Sequence, residues 1–306
     1  MQVRGGKQQR LTLLTVNGHP DDETVSAGGA MARYAAEGLR VVCVVATRGE
    51  LGEIITPDLQ SPENYQRLGE IREQELIRAL ARLGPIEHEF LGYRDSGTMG
   101  TPGNLAPGSF WQADLDEAVG RLVKIIRKVQ ADVIVGPNAY GSDGHPDHMR
   151  ASAIAKAAYD RAGDPSAYPE QLEGGLQPWA PSKLYETVDQ FDRRQKLLRA
   201  LRSGGLTSVV PMVLRVARHW SPAAERKRRL AAAAQGPVTT RVDVSPYIPA
   251  KLCAMAEHRT QIAPNSARFA LTAEERQRVS PTENFTLRAS RVEARLPEDD
   301  LFSGLR

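Results

Sequence analysis

Two short segments of this chain combine histidine with acidic residues. The first is residues 19–23 (HPDDE), and the second is residues 145–148 (HPDH). Imidazole and carboxylate groups are common ligands of Zn²⁺, and a catalytic zinc keeps three protein ligands and one open position for water. A histidine and a carboxylate from one segment, with a histidine from the other, supply that ligand count. The remaining acids are then available for proton transfer, so the two segments predict one shared catalytic metal site.

The elements around these segments support a shared site. An apolar run that predicts a buried strand, residues 11–16 or 132–136, precedes each segment, and a helical pattern follows each. In open α/β sheets, ligands bind at the carboxyl ends of the strands. Each residue alone has an ordinary alternative, since Asp21 or Asp22 would cap the helix that follows and Asp147 would complement a helix dipole. Two clusters in equivalent positions favour the metal site.

These segments resemble the PIG-L/LmbE-like deacetylase superfamily, whose members carry HPDDE after the first strand and His-x-x-His after a later one. Four further stretches of this chain also match the superfamily: residues 47–50, 72–75, 93–97 and 258–261. The last of them, residues 258–261, resembles the branch of the superfamily that processes mycothiol.

The resemblance implies a role for each residue of the two segments. His19, Asp22 and His148 are the implied metal ligands, and Asp21 is the implied general base that takes a proton from the activated water. His145 is expected to stabilise the oxyanion and to protonate the leaving amine, with a capping or supporting histidine as the alternative. Zn²⁺ is the expected metal, and another divalent ion such as Fe²⁺ is the alternative.

Three further residues are predicted to contact substrate. The Arg72 guanidinium suits sugar hydroxyls or a phosphate, Asp95 suits a sugar hydroxyl, and His258 is expected at the pocket rim. Their structural alternatives are an exposed helix arginine paired with a glutamate, a turn-forming aspartate and a buried histidine. Asp143 departs from the mycothiol branch, because some relatives have a tyrosine there, and Tyr140 is out of register.

The composition restricts the function classes. The 306 residues include 40 Lys and Arg against 37 Asp and Glu, a net charge of +3 that gives no indication of nucleic-acid binding. No apolar stretch has transmembrane length, so stable membrane insertion is not expected. The N-terminal residues are too polar for a signal peptide. Cys43 lies in an apolar run and is predicted to be a buried free thiol. With Cys253 distant in sequence, no disulfide framework is indicated, which predicts a cytoplasmic protein.

The order of elements predicts an α/β fold. Nearly continuous apolar strands alternate with amphipathic helices, as in a parallel sheet covered on both faces. A glycine-rich dinucleotide fingerprint is missing after the first strand, which argues against a nicotinamide enzyme. We therefore expect one Rossmann-like domain over residues 1–306, a mostly parallel doubly wound sheet with a C-terminal helical/β extension. The predicted strands are residues 11–16, 41–46, 86–91, 132–136, 183–188 and 240–244, and the predicted helices are residues 24–38, 62–83, 113–129, 147–162 and about 247–261.

Two regions are less typical. Residues 189–236 pair basic clusters with an apolar run, which predicts a helical insertion with a solvated basic face. A subunit contact, a lid or attachment to an acidic membrane surface are the alternatives. Residues 273–306 are expected to form a charged and partly irregular tail.

Together with the two segments, the resemblance implies a zinc-dependent hydrolase that removes an acetyl or other acyl group from the amine of an N-acetylglucosamine-containing small molecule. An amidase for a larger sugar-linked thiol conjugate, or a hydratase with the same metal site, are the alternatives. A vestigial sugar-binding relative is disfavoured because every candidate ligand is present. The expected partner is a small amino-sugar conjugate, and a homo-oligomer stays open.

Overall fold

A computed structural model describes residues 10–188 and 235–306 of the chain. The strands of this part form one seven-stranded sheet in the order β3-β2-β1-β4-β5-β7-β6. They are β1 (Thr12–Asn17), β2 (Arg40–Thr47), β3 (Ile86–Tyr93), β4 (Val133–Gly136), β5 (Lys183–Val188), β6 (Thr240–Asp243) and β7 (Thr282–Ser290). The first five strands are parallel, and β7 runs antiparallel to β5 and β6. The predicted mostly parallel α/β fold is confirmed.

Helices cover both faces of the sheet. Those of the described residues are α1 (Asp22–Ala36), α2 (Pro62–Gln66), α3 (Leu68–Leu83), α4 (Leu115–Val129), α5 (Gly141–Gly144), α6 (Pro146–Arg161), α7 (Pro169–Glu173), α8 (Ile248–Glu257) and α9 (Ala273–Val279). The single helix predicted over residues 62–83 is two helices, because the backbone leaves the helical range at Arg67. None of the helices in this part of the chain is both long and apolar enough to cross a membrane.

The core has two layers because alternate residues of a strand point to opposite faces of the sheet. Leu13, Val41 and Cys43 face the layer of α1, α3 and α8, whereas Leu14 and Val42 face the layer of α4 and α6. Cys43 is a fully buried free thiol, as the apolar run around it predicted.

The region expected to be a charged tail is instead part of the fold. Strand β7 lies between β5 and β6, and the following residues return to the core, where Leu301 and Phe302 are buried. Residues 291–306 contain no helix or strand, in agreement with a partly irregular tail, whereas two acids of the region form buried ion pairs, Glu283 of β7 with Lys251 and Glu298 with Lys183. Of the predicted insertion at residues 189–236, residues 189–234 lie outside the described part.

The topology brings the two histidine-containing segments together. The chain passes from β1 through β2 to β3 on one side of β1, and β4 and β5 lie on its other side. The order therefore reverses between β1 and β4, and ligands of open α/β sheets bind in the crevice at such a switch point. Residues 19–23 follow β1, and residues 145–148 follow β4.

Candidate metal centre and active site

The three predicted metal ligands present their atoms to one another. His148 Nε2 lies 3.1 Å from His19 Nδ1 and 3.0 Å from Asp22 Oδ2, and the third separation, from His19 Nδ1 to Asp22 Oδ2, is 3.7 Å. Ligands bound tetrahedrally to Zn²⁺ at its usual bond lengths lie about 3.3 Å apart. The trio therefore fits a metal ion without rearrangement.

Hydrogen bonds behind the two histidines orient the rings. His19 Nε2 lies 3.1 Å from Asp147 Oδ2, and His148 Nδ1 lies 3.1 Å from the carbonyl oxygen of Gly141. Because those oxygens only accept, each of these nitrogens carries a proton, and in the neutral rings His19 Nδ1 and His148 Nε2 have lone pairs that face the site. Metal-binding histidines are typically held in this way.

Two other trios in the described ranges also bring possible ligand atoms close together, namely His19 with His145 and His148, and His19 with Asp95 and Asp147. The second trio lies at His19 Nε2, behind the ring. Asp147 is fully buried and accepts hydrogen bonds from the amide and the hydroxyl of Ser96. These carboxylates therefore support His19 from behind, and Asp22 is the acid on the His148 side of the ring.

The local charges favour a cation. Burial opposes protonation of His19, but Asp147 and Asp95 outweigh it and raise its pKa to about 9. Burial also acts to raise the pKa of Asp22, yet His148 and His19 hold that pKa well below its ordinary value. The surplus of negative charge that stabilises a proton on His19 also stabilises a divalent ion in its place.

Asp21 is directed away from this trio. Its backbone has φ 117° and ψ −28°, a region that residues with a Cβ atom rarely occupy. This conformation turns its carboxylate toward Arg72, whereas that of Asp22 points to His148. Burial raises the pKa of Asp21, and the guanidinium of Arg72 offsets part of this effect. A carboxylate with a raised pKa is a better proton acceptor near neutral pH.

The structure does not place Arg72 as an open substrate contact. Its side chain is buried, and its guanidinium donates to the carbonyl oxygens of Gly49 and Pro20 at 2.9 and 2.6 Å. Gly49 has φ +68°, and a Cβ atom there would lie 2.1 Å from Arg72 Nη1. The glycine of the TRGE stretch thus leaves room for the guanidinium, which lies behind Asp21.

Asp95 and His258 are also buried, so the structure does not place His258 at the pocket rim or Asp95 as an open contact for a sugar hydroxyl. Asp95 accepts hydrogen bonds from the amides of Leu51 and Gly97 at 3.1 and 2.7 Å, which joins the loops after β2 and β3. His258 Nε2 lies 2.8 Å from Glu23 Oε1. The contacts of both residues are therefore within the chain.

His145 lies beside the three predicted metal ligands. Its ring centroid is 4.5 Å from that of His19 and 5.0 Å from that of His148. Burial and these two neighbours lower its pKa to about 4, so the ring is neutral at physiological pH. Its Nδ1 accepts the amide N–H of Asp147 at 3.2 Å, as a cap of α6. The proton of the neutral ring is therefore on Nε2.

Comparison with known proteins identifies the family. A family model described as PIG-L, GlcNAc-PI de-N-acetylase, matches residues 14–159. A Thermobispora bispora protein named 1D-myo-inositol 2-acetamido-2-deoxy-alpha-D-glucopyranoside deacetylase is 38% identical over 96% of this chain and 98% of its own. The chain belongs to the PIG-L family. A Thermobifida fusca deacetylase of the same name is 40% identical to this PIG-L chain, over 95% of it and 98% of the relative.

The solved structures agree on the fold of this PIG-L chain. N,N'-diacetylchitobiose deacetylase from Pyrococcus horikoshii superposes with a TM-score of 0.61 at 21% identity, covering 90% of this chain and 83% of the other. Together with the named relatives, the family shows that this PIG-L protein is a metal-dependent enzyme that hydrolyses the amide of an N-acetylated sugar.

Sequence reasoning missed several functional contacts of the PIG-L site. The helix-dipole alternative for Asp147 does not include its contact with His19 Nε2, and no role was predicted for Ser96 of the YRDSG stretch, which donates to Asp147. The position of Asp147 between the two histidines of the second motif was a usable signal. Arg72 lies four and eight positions before Leu76 and Leu80 on the buried stripe of α3, and this spacing indicated its burial.

Proposed function

We propose that this protein removes the acetyl group from the N-acetylglucosamine unit of an inositol glycoside, with Zn²⁺ as the metal. The observation that carries the proposal is the separation of 3.0–3.7 Å among His19 Nδ1, Asp22 Oδ2 and His148 Nε2. The similarity to inositol-glycoside deacetylases along nearly the whole chain supports the substrate class. Both cysteines are free, in keeping with a cytoplasmic location.

His19, Asp22 and His148 would hold the metal. A divalent ion in this position supplies a Lewis acid that polarises a carbonyl and lowers the pKa of water. Two nitrogens and one oxygen suit Zn²⁺, and Fe²⁺ is the alternative that metal analysis distinguishes.

Asp21 and His145 supply the proton chemistry. The carboxylate of Asp21 accepts a proton from the attacking water, while the Nε2–H of neutral His145 donates a hydrogen bond to the carbonyl oxygen as it gains charge. The C–N bond then breaks, Asp21 passes the proton that it took from the water to the leaving sugar amine, and acetate is released.

A panel of candidate substrates tests the proposal. Metal-loaded protein is incubated with N-acetylglucosamine, its inositol and malate glycosides, chitobiose derivatives and thiol-conjugate amides, and mass spectrometry measures acetate and free amine. We expect the inositol glycoside to react fastest. Faster reaction of a thiol-conjugate amide would instead support the amidase alternative. Failure to release acetate from any substrate of the panel would overturn the proposal.

A further inference from the structure

The carboxylate of Glu23 bridges two groups that are distant in sequence. Its Oε2 accepts the amide N–H of Asp21 at 2.9 Å, and its Oε1 lies 2.8 Å from His258 Nε2. Both Glu23 and His258 are 0% exposed. The proposed catalytic chemistry uses neither side chain, although Glu23 lies in the first turn of α1 and His258 follows the last turn of α8.

Asp21 needs support from its surroundings. A residue other than glycine at φ 117° carries backbone strain and keeps that conformation only when its neighbours hold it. Each part of Asp21 has such a partner: its N–H donates to Glu23, its carbonyl oxygen accepts from Thr24 Oγ1 at 2.9 Å, and its carboxylate accepts from Arg72. Of these, Glu23 fixes the plane of the peptide that precedes Asp21.

His258 is itself held firmly at the end of α8. Its carbonyl oxygen accepts the amides of Gln261 and Ile262 at 3.0 and 2.7 Å. Two residues on, the amide and hydroxyl of Thr260 donate to Glu75 of α3 at 2.8 and 2.6 Å. The imidazole therefore presents a fixed donor to Glu23, and the orientation of the carboxylate follows from the packing of α8 on α3.

We propose that Glu23 and His258 are positioning residues for the general base: the imidazole of His258 orients the carboxylate of Glu23, which holds Asp21 in its left-handed conformation and so aims the Asp21 carboxylate. The inference rests on the proposed function, because it assumes that Asp21 is the base. A purely structural ion pair would instead stabilise the packing of α1 on α8. The effect on kcat of removing Glu23 would then be the same whether or not Asp21 is present.

A double-mutant cycle separates these two roles. Glu23→Leu is made in the wild-type and the Asp21→Asn background, and kcat and KM are measured for the N-acetylglucosaminyl inositol glycoside with metal-loaded protein. We expect kcat to fall about ten- to hundredfold in the wild-type background, as for a misplaced catalytic group, with KM and metal content unchanged. In the Asp21→Asn background, we expect a further loss of less than about twofold, because residues that act as a unit are not additive.

Two more variants complete the test. Glu23→Gln keeps an oxygen for the Asp21 amide, so we expect it to restore kcat to within about threefold of the wild type. If Glu23→Leu does not fold, His258→Phe carries the same cycle, with an expected loss of about three- to tenfold. Glu283→Gln is the matched control, a buried carboxylate that also joins α1 to α8 through Gly29 and Lys251, and should lower the melting temperature with kcat within about twofold.

The outcomes are distinguishable. Equal losses of kcat in both backgrounds would overturn the positioning role, and so would a rise in KM or a loss of metal in Glu23→Leu. If Asp21→Asn alone keeps the wild-type rate, the proposed base is wrong and the positioning role falls with it. Failure to release acetate by the wild-type protein would instead show that the proposed function is at fault.

Discussion

Arg72 Nη2 donates a hydrogen bond of 3.1 Å to Oδ1 of Asp21. Arg72 lies on α3 and Asp21 lies in the loop after β1, and the Arg72 side chain is almost completely buried. A buried cation behind the proposed base limits how far burial raises the pKa of Asp21. Arg72, which the sequence predicted to contact substrate, therefore influences the orientation and the pKa of the Asp21 carboxylate.

This contact predicts the kinetic effect of Arg72→Lys. Lysine lacks the planar fork that reaches Asp21 and two carbonyl oxygens together, so we expect kcat to fall about tenfold or more while KM stays the same. Arg78→Lys is the matched control, because Arg78 is an exposed arginine of the same helix paired with Glu257. A raised KM with an unchanged kcat would return Arg72 to the substrate-contact role predicted from the sequence.

Removal of one proposed ligand should release the metal. We expect purified wild-type protein to hold about one divalent ion per chain and His148→Ala to lose most of it, because a catalytic zinc has only three protein ligands. Inductively coupled plasma mass spectrometry measures the content. His88→Ala, on the edge strand β3, should retain the metal. Full metal content in His148→Ala would reject the assignment.

The adjacent aspartates should separate in function. Asp21→Asn is expected to keep the metal and to lose activity on the order of a hundredfold or more, the usual contribution of a general base. Asp22→Ala should lose the metal, because Asp22 Oδ2 lies 3.0 Å from His148 Nε2. Paired measurements of metal content and kcat give the answer, and the opposite pattern would exchange the two roles.

Gly18 leaves the space that His148 occupies. A Cβ atom on Gly18 would lie 2.5 Å from His148 Cδ2, so Gly18→Ala should displace the ring and weaken metal binding by about tenfold or more. Titration with a metal chelator measures this affinity. Gly28→Ala is the control: its nearest contact is an ordinary 3.5 Å, and alanine suits the helix, so the free energy of unfolding should rise by about 0.5–1 kcal/mol. Equal metal affinity in both variants would contradict the prediction.

The two thiols should differ in reactivity. Burial raises the pKa of the Cys43 thiol well above its ordinary value, and the raised pKa leaves almost no thiolate at pH 8. Cys253 is exposed. Ellman's reagent should therefore titrate one thiol quickly in the native protein and two after denaturation. Cys253→Ser should remove the fast reaction, and two fast thiols in the native protein would show that Cys43 is accessible.

The sequence predicted what depends on local pattern. Strands β1 and β4 and the segments behind them were readable because apolar runs, histidines and acids are contiguous there, and the reversal of strand order brings the segments together. Contacts between distant positions were not readable. Glu23 and His258 are 235 positions apart, and no local spacing indicates that an imidazole beyond α8 meets a carboxylate in the first turn of α1.

The position of β7 in the sheet has a consequence for folding during synthesis. Strand β5 ends at Val188, yet the strand that covers its free edge begins only at Thr282. Since a ribosome releases the chain from its N-terminus, β1 to β5 emerge well before that partner is available. Among the described strands, none before β7 pairs with this edge of β5, and an unpaired edge is a template for association between nascent chains. Pairing with β7 therefore removes a site of association that the first five strands would present on their own.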